Sequence, residues 1–232
     1  MIWSILKDRS YVPYSGNPKA CVVQGDKGGL FTGVRIENVS FPLTITAIQS
    51  ACCICLSEGE TPSILFIPDE AFDQFQFWQN EFGLEVNKTD CPTTLSDLEI
   101  EAPFSIPEKD HLMTLLDKAV PKHSNFPVSS LLYTANSLFE GVNIEVSDWA
   151  MGLCAERVAL SKALAAGKTN FERIAVHTKR GEVSSPCGAC RQVLIEHLPM
   201  NKFSLYHADG SLSEHLSIDL LPFSFTSQSL KH

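Results

Sequence analysis

No stretch of the 232-residue chain concentrates Lys or Arg, and its formal net charge is -9. Binding to rows of phosphates rests on cations that neutralise them, so nucleic acid is disfavoured as a partner. No apolar run approaches the ~20 residues that a membrane-spanning helix needs, so no membrane association is expected. Met1–Lys7 offers too short an apolar stretch and no cleavage site for a secretory signal, which predicts a cytoplasmic protein. Charged residues are sparse at 19% against 44% hydrophobic, and mean hydropathy is +0.02. That balance belongs to a folded globular protein rather than a disordered one. The length suits one large domain or two small ones. Eight cysteines are present, but disulfide frameworks belong to short secreted chains, so metal-binding or catalytic thiols become the leading question.

An internal repeat sets the layout. Leu30-Phe31-Thr32-Gly33-Val34-Arg35-Ile36-Glu37 returns as Leu138-Phe139-Glu140-Gly141-Val142-Asn143-Ile144-Glu145. At the same offset Thr46-Ala47-Ile48-Gln49 falls on Cys154-Ala155-Glu156-Arg157, and Gly59 on Gly167. With one residue of slack in the loop before Leu30, Ser15 and Pro18 pair with Ser124 and Pro127. The chain therefore reads as a duplicated domain. Glu85–Pro107, with three prolines and no steady periodicity, reads as a connector. The expected division is a first copy over 1–92, a linker over 93–106 and a second copy over 107–232.

In the second copy Lys109–Val120 has the apolar spacing of one helical face, stopped by Pro121. Val128–Tyr133 and Leu138–Ile144 flank a short turn, as in a hairpin. Cys154–Ala166 has good helix formers and Gly167 as its stop. Arg173–Thr178 reads as a strand, Pro186–Leu198 as a helix, Phe203–His207 as a strand and Ile218–Leu221 as a last helical turn. That order predicts a layered α/β fold.

The chemistry concentrates in Cys154-Ala155-Glu156 and Pro186-Cys187-Gly188-Ala189-Cys190. Catalytic zinc takes three protein ligands and leaves a fourth position for water, and Cys187-x-x-Cys190 lets one turn wrap a tetrahedral ion with Cys154 as the third ligand. Helix starts favour the thiolate that zinc requires. Glu156, two residues beyond Cys154, can face the same cavity and carry protons, an arrangement used by zinc deaminases of nucleobases. Three thiolates leave negative charge around the ion, and Arg157 is the nearby cation that could offset it.

Cys154-Ala155-Glu156-Arg157 with Pro186-Cys187-Gly188-Ala189-Cys190-Arg191-Gln192 resembles the zinc-dependent cytidine deaminase family, and the first copy resembles it at Pro13-Tyr14-Ser15 and Glu37-Asn38-Val39-Ser40-Phe41. The resemblance implies two three-layer α/β/α domains, each with a mixed sheet of about five strands, and one zinc ion per chain held by Cys154, Cys187 and Cys190. It implies hydrolytic deamination of cytidine or deoxycytidine, a step of pyrimidine salvage, with Glu156 as proton shuttle. Asn143 and Glu145 match the pair that holds ribose hydroxyls, Phe126 the aromatic on the pyrimidine, and Phe225 a tail aromatic bordering a site. By the same resemblance the backbone of Ala155 contacts the base and Arg157 hydrogen-bonds the thiolates. Related single-domain enzymes are tetramers, so a doubled chain is expected to form a homodimer.

The first copy departs from the pattern. Thr46 and Ile48 stand at the ligand and glutamate positions, Arg35 matches Asn143, Asn17 matches Phe126, and Ile67-Pro68-Asp69-Glu70 leads to no Cys-x-x-Cys, so this copy is expected to be structural. In the second copy Val146, Asp148 and Lys122-His123-Ser124 differ from the family on the sugar side, which leaves another aminated-base nucleoside as an alternative substrate. A zinc-stabilised binding protein without activity is the other alternative. Cys52, Cys53 and Cys55 read as buried core thiols rather than a second cluster. Polar pairing at a strand end is the ordinary fate of residues such as Asn143 and Glu145, as core packing is of Phe126. His123, His177 and His207 are expected to be exposed or satisfied, and Asp69, Glu70, Glu99 and Glu101 to be solvated.

Overall fold

A computed structural model describes residues 2–88, 91, 101–102 and 105–230. In the first copy, helix α1 (Ile2–Asp8) precedes a hairpin of β1 (Ala20–Gly25) and β2 (Leu30–Val34), followed by α2 (Ala47–Ser57), β3 (Pro62–Phe66), α3 (Phe75–Phe82) and β4 (Glu85–Asn87). The second copy repeats this plan with α4 (Glu108–Leu115), β5 (Val128–Thr134), β6 (Leu138–Val142), α5 (Ala155–Ala165), β7 (Phe171–Thr178), α6 (Gly188–His197) and β8 (Lys202–Tyr206). It then adds β9 (Leu212–Leu216) and α7 (Ser217–Leu220). The sheets run β2-β1-β3-β4 and β6-β5-β7-β8-β9. Pairing is antiparallel except for β3 with β4 and β7 with β8, because α3 and α6 carry the chain back over the sheet. The slack between the repeats lies in the hairpin turns, since β1 and β5 match one position out of step with β2 and β6.

Helices cover each sheet on two faces. The Ser129 hydroxyl of β5 donates to the Leu112 carbonyl of α4 at 2.7 Å, while the neighbouring residues of the hairpin face α5. A glycine explains how closely α5 sits. A Cβ at Gly141 would collide with the Ala155 carbonyl oxygen, and one at Gly33 with that of Ala47, so both copies keep glycine where the helix start lies on the second hairpin strand. The left-handed Gly59 and Gly167, φ 76° and 77°, stop α2 and α5 in the same way.

The copies pack through α2 and α5. Arg9 donates to the Ala165 carbonyl at 2.6 Å, placing a cation at the α5 C-terminus. Buried Lys162 of α5 pairs with Glu58 at the end of α2, and Tyr11 donates to Glu196 of α6 at 2.9 Å.

Several expectations are revised. The start of the expected connector is strand β4. Edge strand β9, not anticipated, gives the second sheet its five strands, whereas the first sheet has four among the described residues. The opening helix of the second copy tightens into a 3₁₀ turn at Leu116–Lys118. Glu70 pairs with Lys7 and Lys19, and Glu101 with Lys168, so neither is simply solvated. Of the expected linker only 101–102 and 105–106 are described, and Glu99 lies outside the described residues. Cys52, Cys53 and Cys55 are fully buried in α2, as core thiols should be.

Candidate metal centre

Two helix starts converge at one end of the second copy. Cys154 is the N-cap of α5 and Cys187 the N-cap of α6, with Cys190 one turn further along α6. Their three Sγ atoms lie within 4.8 Å of one another, and Cys154 and Cys187 are 3.6 Å apart. A tetrahedral ion with ~2.3 Å bonds to sulfur holds its ligand sulfurs about 3.8 Å apart, so this donor set fits zinc. The Cys190 N–H donates to Cys187 Sγ at 3.5 Å. Hydrogen bonds from Cys154 and Cys190 hold the Cys187 thiol far below its ordinary range, while sharing those bonds pushes Cys154 up to about 11 and Cys190 well up. Arg157 donates to Cys154 Sγ at 3.5 Å. Burial disfavours its charge, but the surrounding sulfurs more than offset that, so it stays protonated.

Glu156 sits in the first turn of α5, 2% exposed, and its Oε2 is buried without a hydrogen-bond partner. Burial raises its carboxyl to about 7. A carboxyl that changes protonation near neutrality, beside a metal-ligand cluster, suits proton transfer.

A cleft of about 310 Å³ opens on this cluster, lined by Asn143, Glu145, Trp149, Cys154, Arg157 and Cys187 among others. Glu145 accepts from the backbone N–H groups of His123 at 2.6 Å and Ser124 at 3.0 Å, and from the Ser124 hydroxyl. Burial pushes its carboxyl up, yet these bonds more than compensate and hold it below the usual range. Its charge and direction are thereby fixed. Asn143 uses Oδ1 to accept from the Val128 N–H at 2.8 Å and Nδ2 to donate to the Phe126 carbonyl at 3.0 Å. This is the strand-end pairing that competes with ligand binding, and it leaves one amide hydrogen for the cleft.

The other expected site residues are placed differently. Ala155 is fully buried behind Cys154 at the start of α5. Phe126 is half-buried, with its ring 3.7 Å from where a Cβ on Gly181 would lie, and it does not line the cleft. Phe225 is 47% exposed and tied to α6 through its carbonyl, which accepts from Gln192 at 2.7 Å. It too lies outside the cleft lining. His123, His177 and His207 are each hydrogen-bonded. Trp149, 68% exposed on the cleft, escaped the reading of the sequence. The repeat carried a signal for it, because exposed Phe41 stands at the matching position.

In the first copy Gln74 is the N-cap of α3, as Cys187 is of α6. The Thr46 hydroxyl donates to its side-chain oxygen at 3.1 Å, so a hydrogen bond joins the two helix starts where the second copy places sulfur.

Residues 109–205 match the family described as the cytidine and deoxycytidylate deaminase zinc-binding region, and residues 6–64 match a companion family of the same description. A cytidine deaminase from Sporosarcina psychrophila is 36% identical over 121 residues, spanning 50% of this chain and 87% of that protein. One from Halalkalibacterium halodurans is 37% identical over 110 residues, spanning 47% of this chain and 83% of that protein. The crystal structure of a cytidine deaminase from Burkholderia pseudomallei aligns with 52% of this chain and 100% of its own, at 35% identity and a TM-score of 0.49.

Proposed function

The chain belongs to the cytidine and deoxycytidylate deaminase family, and from that premise we propose that it hydrolyses cytidine or deoxycytidine to the corresponding uridine and ammonia. The observation that carries the reading is the buried, unpartnered Glu156 Oε2 beside three convergent thiols. Cys154, Cys187 and Cys190 would hold one zinc ion, which when bound activates the water that the reaction consumes. Glu156 takes a proton from that water and delivers it to N3 of the pyrimidine as the water oxygen bonds to C4. It then moves the remaining hydroxyl proton to the exocyclic nitrogen, so that the C4–N bond breaks, ammonia leaves and C4 keeps a carbonyl. Arg157 balances the charge of the thiolates, while Glu145 and the free amide hydrogen of Asn143 present polar groups to the sugar.

Changing Glu156 to Gln should lower turnover by at least about a hundredfold to ten-thousandfold, the range for removing a general acid–base, while about one zinc per chain is retained. Ammonia release from cytosine, cytidine, deoxycytidine, adenosine and guanosine identifies the substrate. Absence of product from every pyrimidine nucleoside with zinc-loaded protein would defeat the proposal, as would full activity in the glutamine variant.

We also infer a homodimer that works in the cytoplasm. Exposed Phe41 and Trp149, 83% and 68% accessible at matching positions, support a partner that covers both. No helix among the described residues is long and apolar enough to cross a membrane. Sedimentation at twice the chain mass of 25.6 kDa is expected, and a fully active monomer would contradict the dimer.

A further inference from the structure

Ser147 does not itself line the cleft but sits in the loop behind it, two residues beyond Glu145 and two before Trp149, both of which do. Its backbone N–H donates to Glu81 Oε1 at 3.0 Å, and its hydroxyl donates to the other carboxylate oxygen. Glu81 belongs to the first copy, as the penultimate residue of α3. The second copy returns the contact. Glu196, the penultimate residue of α6, accepts from the Val39 N–H at 2.9 Å and from Asn38 Nδ2 at 2.6 Å, and Val39 is the residue that the repeat places on Ser147. Each copy thus closes the other's loop with a carboxylate from the end of its own helix. The first copy has lost the ligand and proton-carrying residues but keeps this acid.

The wall it grips is the loop from Glu145 to Leu153, of which Glu145, Trp149, Gly152 and Leu153 line the cleft. Its base is tied by the Ile144 N–H to the Leu153 carbonyl at 2.8 Å and by the return bond at 3.0 Å. A second side chain of the first copy, Gln49, donates to the Met151 carbonyl at 3.0 Å. Carboxylate acceptors make strong hydrogen bonds, and two donors from one residue fix both its backbone and its side chain. A loop held before the ligand arrives does not have to be ordered on binding. The sulfurs and Glu156, by contrast, stand at the starts of α5 and α6, outside this loop.

We propose that Glu81 is a positioning residue for substrate binding, through which the catalytically silent copy holds the nucleoside-facing wall of the other copy's cleft. This rests on the deaminase reading. The test is steady-state kinetics of Glu81→Ala and Glu81→Gln, with metal content and amide hydrogen exchange over residues 145–153. In Glu81→Ala, KM for the nucleoside should rise about threefold to tenfold with kcat within about twofold of wild type and zinc unchanged, while the Ser147 amide exchanges faster. Glu81→Gln, which can still accept from the Ser147 N–H, should recover most of the KM. An unchanged KM in the alanine variant overturns the proposal, as does a fall in kcat alone, a loss of zinc, or a glutamine variant as impaired as alanine. Should the wild type prove inactive, the deaminase reading fails separately, and unchanged Ser147 exchange in Glu81→Ala still overturns the positioning role.

Discussion

Lowering the pH from neutrality toward 4 should loosen the junction between the copies through His197. This residue ends α6 with its ring 4.5 Å from that of Tyr11 in the first copy and 6.2 Å from that of Phe171. Its Nε2 is buried without a hydrogen-bond partner, and burial pushes the imidazole down to about 4. In the unfolded chain the same ring titrates near ~6.5. Between those values the unfolded chain binds a proton that the native protein does not. The His197 contribution is therefore complete above about 6.5 and is lost progressively as the pH falls toward about 4. A gap of ~2.5 units at ~1.4 kcal/mol each comes to about 3 kcal/mol. Beside it stand Glu196, next in the chain, and Tyr11, whose hydroxyl donates to that glutamate. Replacing His197 with Phe keeps an aromatic of similar size and removes the buried nitrogen. The variant should gain about 1–3 kcal/mol at pH 7 and lose the extra acid sensitivity. Urea unfolding followed by tryptophan fluorescence at intervals from pH 4.5 to 7.5 measures this, since all other titrating groups are shared. Parallel stability curves for the two proteins would refute the argument.

Cys187→Ala should lose most of its zinc by metal analysis, because two sulfurs cannot complete the ligand set, and activity should fall with it. Gly141→Ala and Gly33→Ala place the same methyl group against the same helix start in the two copies, and each should cost about 1–3 kcal/mol of stability in thermal or urea unfolding. Only Gly141→Ala displaces the residues beside Cys154, so only it should also lower kcat. Equal kcat losses in the two variants would contradict the division of labour between the copies.

The repeat made most of the architecture legible, because the hairpin, the helix packed on it and the glycine between them are specified by short-range pattern in both copies. The short edge strands were hidden. Glu85-Val86-Asn87 is three residues long and pairs only because α3 returns the chain beside β3. Leu212–Leu216 is a mostly exposed edge with three consecutive polar residues, Ser213, Glu214 and His215, between its leucines, a pattern as compatible with a solvated loop as with a strand. At the site, the thiols and Glu156 could be read from spacing alone, since helix starts fix where those side chains stand. Asn143 could not. Whether its amide faces the cleft or ties the Phe126–Val128 segment depends on a contact across the chain, and the structure shows that its two ends serve the backbone. The same limit hid Glu81, whose partner is 66 positions away in sequence.

The two helix starts are stabilised by different means, and that difference explains how a copy with Thr46 and Ile48 in place of the cysteine and glutamate can remain useful. Thr46 accepts from the Gln49 N–H at 3.3 Å while the Gln49 side chain accepts from the Thr46 N–H at 3.4 Å, a reciprocal cap worth about 1 kcal/mol. The Thr46 hydroxyl also reaches Gln74 on the neighbouring helix. Cys154 forms no such cap, and its sulfur turns instead toward Cys187. The second copy has thus exchanged a self-contained helix start for a ligand, leaving part of its local order to metal binding. The first copy completes its own helix start from within the chain, so α2 and α3 can hold Gln49 and Glu81 against the cleft wall regardless of the state of the three sulfurs.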